Sequence, residues 1–225
     1  MQKLLEGARR FQSAESARYR SLFQRLAEEG QHPHTLFITC ADSRVVAELV
    51  TDSQPGELFV VKNLGNIVPP ASIVGMTNST AAAIEFAVDV LRVEDLVVCG
   101  HSHCGAMNAL LHQSTDDRRL PNLANWLELA DSVRQRIWSQ YQNSTDIEEC
   151  LRAAEKWNVL LALDNLSTYP KVRARLEEGS LRLHGWFFDI ARGALLRHDA
   201  NSGQFVPFAP ESNTEDAMDR TAPCK

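Results

Sequence analysis

Two short segments carry the residues best able to do chemistry: Cys40-Ala-Asp42-Ser-Arg44 and, sixty-one residues after Cys40, His101-Ser-His-Cys104. Two thiols and an imidazole form a donor set that favours zinc over calcium, magnesium or manganese. A purely structural zinc site takes four protein ligands and has no use for the carboxylate and guanidinium that follow Cys40. A catalytic site takes three, keeps a fourth position open, and needs groups to hold whatever sits there. The pattern points to hydration chemistry at zinc, with Cys40, His101 and Cys104 as ligands.

Asp42 then has two roles open to it. It can accept a hydrogen bond from zinc-bound hydroxide, or it can swing in and ligate the metal, displacing water. A bidentate pair with Arg44 would hold it off. Alternation along an extended segment predicts Cys40, Asp42 and Arg44 on one side, with Ser43 turned away. Two thiolates offset the charge of the ion, so the bound water should be less acidic than at a three-histidine site, where its pKa is about 7. Activity is therefore expected to rise through mildly alkaline pH. Competing readings are a four-ligand structural site that includes Asp42, a pairing that binds no metal, and His103 as an alternative ligand. His32 and His34 read as solvated. Gly100 and Gly105 have phosphate-loop spacing, but Ala106 and Met107 stand where Lys and Ser or Thr are required, which rejects a nucleotide site.

The elements around these motifs follow from periodicity. Residues 35–40, 58–61 and 96–100 are short, continuously apolar runs and read as buried strands. Helical patterns separate them, including one through 81–91 that Thr77 or Asn78 could cap. This predicts an α/β fold with a mostly parallel sheet covered on both faces. Both motifs then lie at the C-terminal ends of strands, the edge where such sheets bind ligands. Residues 2 to about 29 form an amphipathic helical arm that residues 13–16 interrupt and Gly30 ends. The second half is mostly helical: 121–141, a helix opened by the capping-box spacing of Thr145 and Glu148 that runs to about 166, and a short one from Pro170 to Gly179. Residues 181–190 add a strand. The reading is one domain over 1–209, with 210–225 as a polar, mobile tail.

The 225 residues carry a net charge of −6, which argues against nucleic acid as a main partner. No apolar run reaches the ~20 residues of a membrane helix. The N-terminus lacks a signal peptide's apolar core, so a cytoplasmic location is expected. Five cysteines without a secretion signal do not read as a disulfide framework. Cys99 reads as a small core residue, Cys150 as part of a helix and Cys224 as part of the tail.

From about Leu4 to Phe208 the chain resembles the β-class carbonic anhydrases, particularly the plant-type subgroup with an open site. The likeness rests on the two motifs in Gly100-His-Ser-His-Cys-Gly105 and Cys40-Ala-Asp-Ser-Arg44, on Gln54-Pro-Gly-Glu-Leu-Phe-Val-Val-Lys-Asn63, on Asn66-Ile-Val-Pro-Pro70 and on Ala83-Ile-Glu-Phe-Ala87. It implies a four- or five-stranded, mostly parallel sheet, tight dimers or larger assemblies, and reversible hydration of CO2 to bicarbonate and a proton with one Zn2+ per chain. It implies Cys40, His101 and Cys104 as ligands, Asp42 and Arg44 as a gating pair, Gln31 as an amide reaching substrate across the dimer interface, and Phe59 in the CO2 pocket. Phe86 stands where Tyr is common and Lys62 where Arg is usual. The alternatives that the resemblance leaves are hydrolysis of CS2 or COS on the same fold, and a carboxysomal enzyme that also docks a shell protein.

Overall fold

A computed structural model describes residues 1–73, 78–112, 120–141, 144 and 146–208. The apolar runs become strands: β1 (Thr35–Cys40), β2 (Leu58–Asn63), β3 (Asp95–His101) and β4 (Arg182–Asp189) are mutually parallel, in the order β2-β1-β3-β4. Every residue of β1 is buried, as is all of β3 after Asp95, which explains why neither alternates. Two further strands, β5 (Ala194–Asp199) and β6 (Gln204–Pro207), turn back antiparallel onto β4. Among the described residues the sheet therefore has six strands rather than four or five. The added pair joins through tight turns at Gly193 and Gly203, both at positive φ.

The N-terminal arm is α1 (Gln2–Arg10), a π turn at Phe11–Glu15, α2 (Ser16–Arg18) and α3 (Arg20–Glu29). The helix widens at the expected interruption, but it breaks at Tyr19, whose φ of −99° and ψ of 4° leave the helical region. No residue of these helices is buried, so the arm contributes nothing to this chain's core. After β1 come α4 (Ala47–Thr51) and α5 (Ser79–Glu85), the latter capped by the Asn78 side chain on the N–H groups of Thr80 and Ala81. Thr77 lies outside the described residues. The remaining helices are α6 (Gly105–His112), α7 (Pro121–Leu127), α8 (Asp131–Gln140), α9 (Ile147–Leu166) and α10 (Pro170–Glu177). The expected single helix over 121–141 is two, joined by a 3-10 turn at Glu128–Ala130. Asp146 caps α9 by accepting the Glu149 N–H, and Thr145 lies outside the described residues, as do Cys224 and the tail.

One face of the sheet carries Leu36, Ile38, Leu96 and Val98, which pack against Val159, Ala162 and Leu166 of α9. Phe37, Val97 and Cys99 point the other way, against Ala47 and Trp186. Burial pushes the Cys99 thiol up to about 12, so it is an inert core group. The approach of α9 to β3 depends on Gly100: a Cβ there would stand 2.6 Å from Val159 Cγ2. That contact sets the end of β3 directly beside the middle of α9.

Candidate metal centre

Cys40 and His101 are the last residues of β1 and β3, which pair in parallel, so both side chains emerge at the same sheet edge. A turn at Ser102 and His103 then brings Cys104 back to face them at the start of α6. The donor atoms of Cys40, His101 and Cys104 all lie within 4.8 Å of one another, and all three residues are buried. His101 Nδ1 is 2.9 Å from the Ser102 carbonyl, so this nitrogen carries the donated proton. Its Nε2 is buried and has no hydrogen-bond partner among the described residues, and it lies in one donor cluster with the two thiols. A soft-to-borderline dication satisfies such a trio, and zinc fits it.

Cys40 is drawn below the ordinary thiol range, first by the Cys104 thiol and further by the Asp42 and Gly65 N–H groups, against its burial. Cys104 is pushed well above the ordinary thiol range by the same contact. Thiolate is the form that ligates a metal. Gly65 N–H lies 3.3 Å from Cys40 Sγ. That loop needs glycine: φ is +75°, and a Cβ would meet Ala106 Cβ at 3.0 Å. Asn158 on α9 fixes it by donating to the Gly65 carbonyl at 2.7 Å.

Asp42 sits above the trio, with Oδ2 4.0 Å from His101 Nε2, and does not join the donor cluster. That arrangement is not the four-ligand structural site. Arg44 grips it with Nε to Oδ1 at 2.9 Å and Nη2 to Oδ2 at 2.7 Å, while Nη2 also donates to the His103 carbonyl at 3.0 Å. Arg44 beside it holds the Asp42 carboxyl well below the usual carboxylate range. The pair forms differently from the expected alternation. β1 stops at Cys40, and the Arg44 N–H donates to Asp42 Oδ1 at 2.9 Å, closing a local side-chain turn. Lys62, on the neighbouring strand, donates to the carbonyls of Val45 at 2.7 Å and Asp42 at 3.3 Å. An ammonium suffices for two separate carbonyls where no fork is needed.

His103 is exposed, with φ 57°, and stands outside the donor cluster. Gln31, Phe59 and Phe86 are not brought to the metal centre within one chain. Phe59 pairs in register with Leu36, four residues before Cys40, or about 13 Å down the strand. Phe86 stacks on Phe59 with ring centroids 5.9 Å apart, and Gln31 is exposed, ahead of the far end of β1. Sequence reading missed Glu155, whose Oε1 accepts the Cys104 N–H at 2.7 Å and whose Oε2 accepts from Arg152 at 2.6 Å. The available signal was position: Glu155 and Asn158 share the buried stripe of Ala154, Val159 and Ala162, where an amphipathic helix wants apolar residues.

A family model described as carbonic anhydrase matches residues 35–195. The chain is 40% identical to a carbonic anhydrase of Synechocystis sp., over 99% of this chain and 80% of the relative. It is 43% identical to one of Pseudomonas aeruginosa, over 93% of this chain and 92% of the relative. Among solved structures, the β-carbonic anhydrase CcaA superposes with a TM-score of 0.87 at 40% identity, covering 92% of this chain and 98% of the other. One of two tetrameric enzymes from Sordaria macrospora gives a TM-score of 0.76 at 32% identity, covering 87% and 95%. Agreement across the sheet, the strand-end ligands and nearly the whole length leads to one assignment: the chain belongs to the β-class carbonic anhydrases.

Proposed function

We propose that reversible hydration of CO2 proceeds at the edge formed by Cys40, His101 and Cys104, with Asp42 kept off the metal by Arg44. The observation that carries this is the two-point grip of Arg44 on a carboxylate 4.0 Å from His101 Nε2 but outside the donor cluster. Zinc bound by the three ligands would supply a Lewis acid that makes a water nucleophilic near neutral pH. The Ser102 carbonyl fixes the His101 tautomer so that Nε2 is the ligating atom. Asp42, ionised because Arg44 holds it so, acts as a hydrogen-bond acceptor that orients the attacking oxygen; a carboxyl so acidic does not store the released proton.

The substrate pocket is completed by a second copy of the chain, with Gln31, Phe59 and Phe86 serving the neighbouring metal centre. Two features support this. The three residues lie at the opposite end of β1 from their own ligands, and the N-terminal arm presents Leu4, Leu5 and Phe11 to solvent, an apolar face with no fully buried residue in its helices. A dimer is then the smallest active unit.

Stopped-flow assays of the zinc-loaded protein with CO2 and, separately, CS2 test the reaction. Fast CO2 hydration without CS2 turnover is expected. CS2 consumption with CO2 hydration at the uncatalysed rate would transfer the site to the hydrolase reading.

A further inference from the structure

A carboxylate in a core position needs a reason, since an apolar side chain would pack there without desolvating a charge. Glu155 occupies such a position on α9, with its side chain 1% exposed. Burial pushes its carboxyl up, while the Cys104 N–H and Arg152 favour the charged form. Its contact is with the backbone of a ligand: Oε1 accepts from Cys104 N–H at 2.7 Å. The same peptide unit is held at its other end, where the His103 carbonyl accepts Arg44 Nη2 at 3.0 Å. The peptide between His103 and Cys104 is thus gripped by a carboxylate on one side and a guanidinium on the other. Each gripping group is itself paired, Arg44 with Asp42 and Glu155 with Arg152.

The unit that is held is one that would otherwise relax. His103 has φ 57°, a left-handed conformation uncommon for a residue with a Cβ. Relaxing φ of His103 to a negative value would turn the following peptide unit and break both contacts together. It would also swing Cys104 Cα, and with it the thiolate, away from Cys40 and His101.

We propose that Glu155, braced by Arg152, is a positioning residue of the metal centre: it clamps the His103–Cys104 peptide against Arg44, so that one backbone unit fixes both the Cys104 thiolate and the guanidinium that holds Asp42. The close approach of α9 at Gly100 brings the Glu155 side chain within reach of the Cys104 N–H. It rests on the ligand assignment above, not on the reaction catalysed.

The test reads the metal and not turnover. Zinc release to a chelator and the visible spectrum of the cobalt-substituted protein are measured for the unaltered chain, Glu155→Ala, Glu155→Gln and Arg152→Met, with thermal unfolding alongside. Glu155→Ala should weaken metal retention by about 10–100-fold and shift the cobalt bands. Glu155→Gln keeps an oxygen for the Cys104 N–H and should recover most of that loss. Arg152→Met, which alters only the partly buried brace, should weaken retention several-fold, and it carries the test if Glu155→Ala does not fold. A lower unfolding temperature with unchanged metal retention and spectrum would make Glu155 merely structural and overturn the proposal. A glutamine no better than alanine would overturn it too. If the unaltered chain takes up neither metal, the ligand assignment falls and the clamp with it.

Discussion

Gly100→Ala puts the coupling between α9 and the metal-bearing strand under direct strain. The new Cβ would lie 2.6 Å from Val159 Cγ2 and 3.4 Å from the Glu155 carbonyl oxygen, so the first contact is about 0.8 Å short of ordinary packing. Val159 is fully buried, and its branched side chain has little freedom to rotate away in a helix. Overpacking of this kind costs about 1–3 kcal/mol. Alanine recovers roughly 0.5–1 kcal/mol through the lower entropy of its unfolded chain. A net loss of about 1–2 kcal/mol should lower the unfolding temperature by about 2–8 °C in a chain of this length. The double variant Gly100→Ala with Val159→Ala removes the offending methyl, so its loss should be smaller than the sum of the two single losses by about 1 kcal/mol. Scanning calorimetry on all four proteins gives the cycle. An unchanged unfolding temperature for Gly100→Ala, or strict additivity in the double variant, would show that α9 does not rest on Gly100 as described.

Arg44→Ala should keep zinc bound while CO2 hydration falls by about 10²–10³-fold, because Asp42 is freed to take the open position; X-ray absorption showing an unchanged ligand set with fast hydration would refute the gating role. Mixing Cys104→Ser protein with Gln31→Ala protein should restore activity at about a quarter of the sites, since half the dimers are mixed and each combines one intact ligand set with one intact Gln31. No recovery after subunit exchange, or a fully active monomer lacking residues 1–29, would end the cross-subunit role. At the opposite sheet edge, Arg182, and secondarily His184, hold the Asp95 carboxyl below its ordinary value of 3.8. A depressed carboxylate stabilises the fold above its unfolded pKa and loses that contribution as pH falls through the folded one. The stability gap between the unaltered chain and Asp95→Asn should therefore be full at neutral pH and shrink below about pH 4, read by thermal unfolding across pH; a gap that widens on acidification would refute the pairing.

Much of this site was legible because ligand chemistry is local. Cys40 and His101 end runs whose unbroken apolarity marks buried parallel strands, and that alone places both at one edge. Less was legible where a role depends on a distant surface. Nothing near Glu155 in sequence shows that α9 crosses beneath Cys104, since the contact spans fifty-one residues and depends on a missing Cβ at Gly100. β5 and β6 went unread because Arg197, His198 and Gln204 interrupt short segments whose pairing comes from the turns and from β4. The Asp42–Arg44 pair was anticipated with the wrong local geometry: a side-chain turn at Asp42, not continued extension, brings the guanidinium back onto the carboxylate.

The central claim is that three side chains of each subunit hold one zinc and that CO2 hydration depends on it. Titrating metal-depleted protein with zinc while following CO2 hydration by stopped flow tests this most directly. Activity should rise in proportion to added metal and level off at one equivalent per chain, with Cys104→Ser protein failing to respond. Catalysis at full rate before any zinc is added, or none after one equivalent has bound, would contradict it.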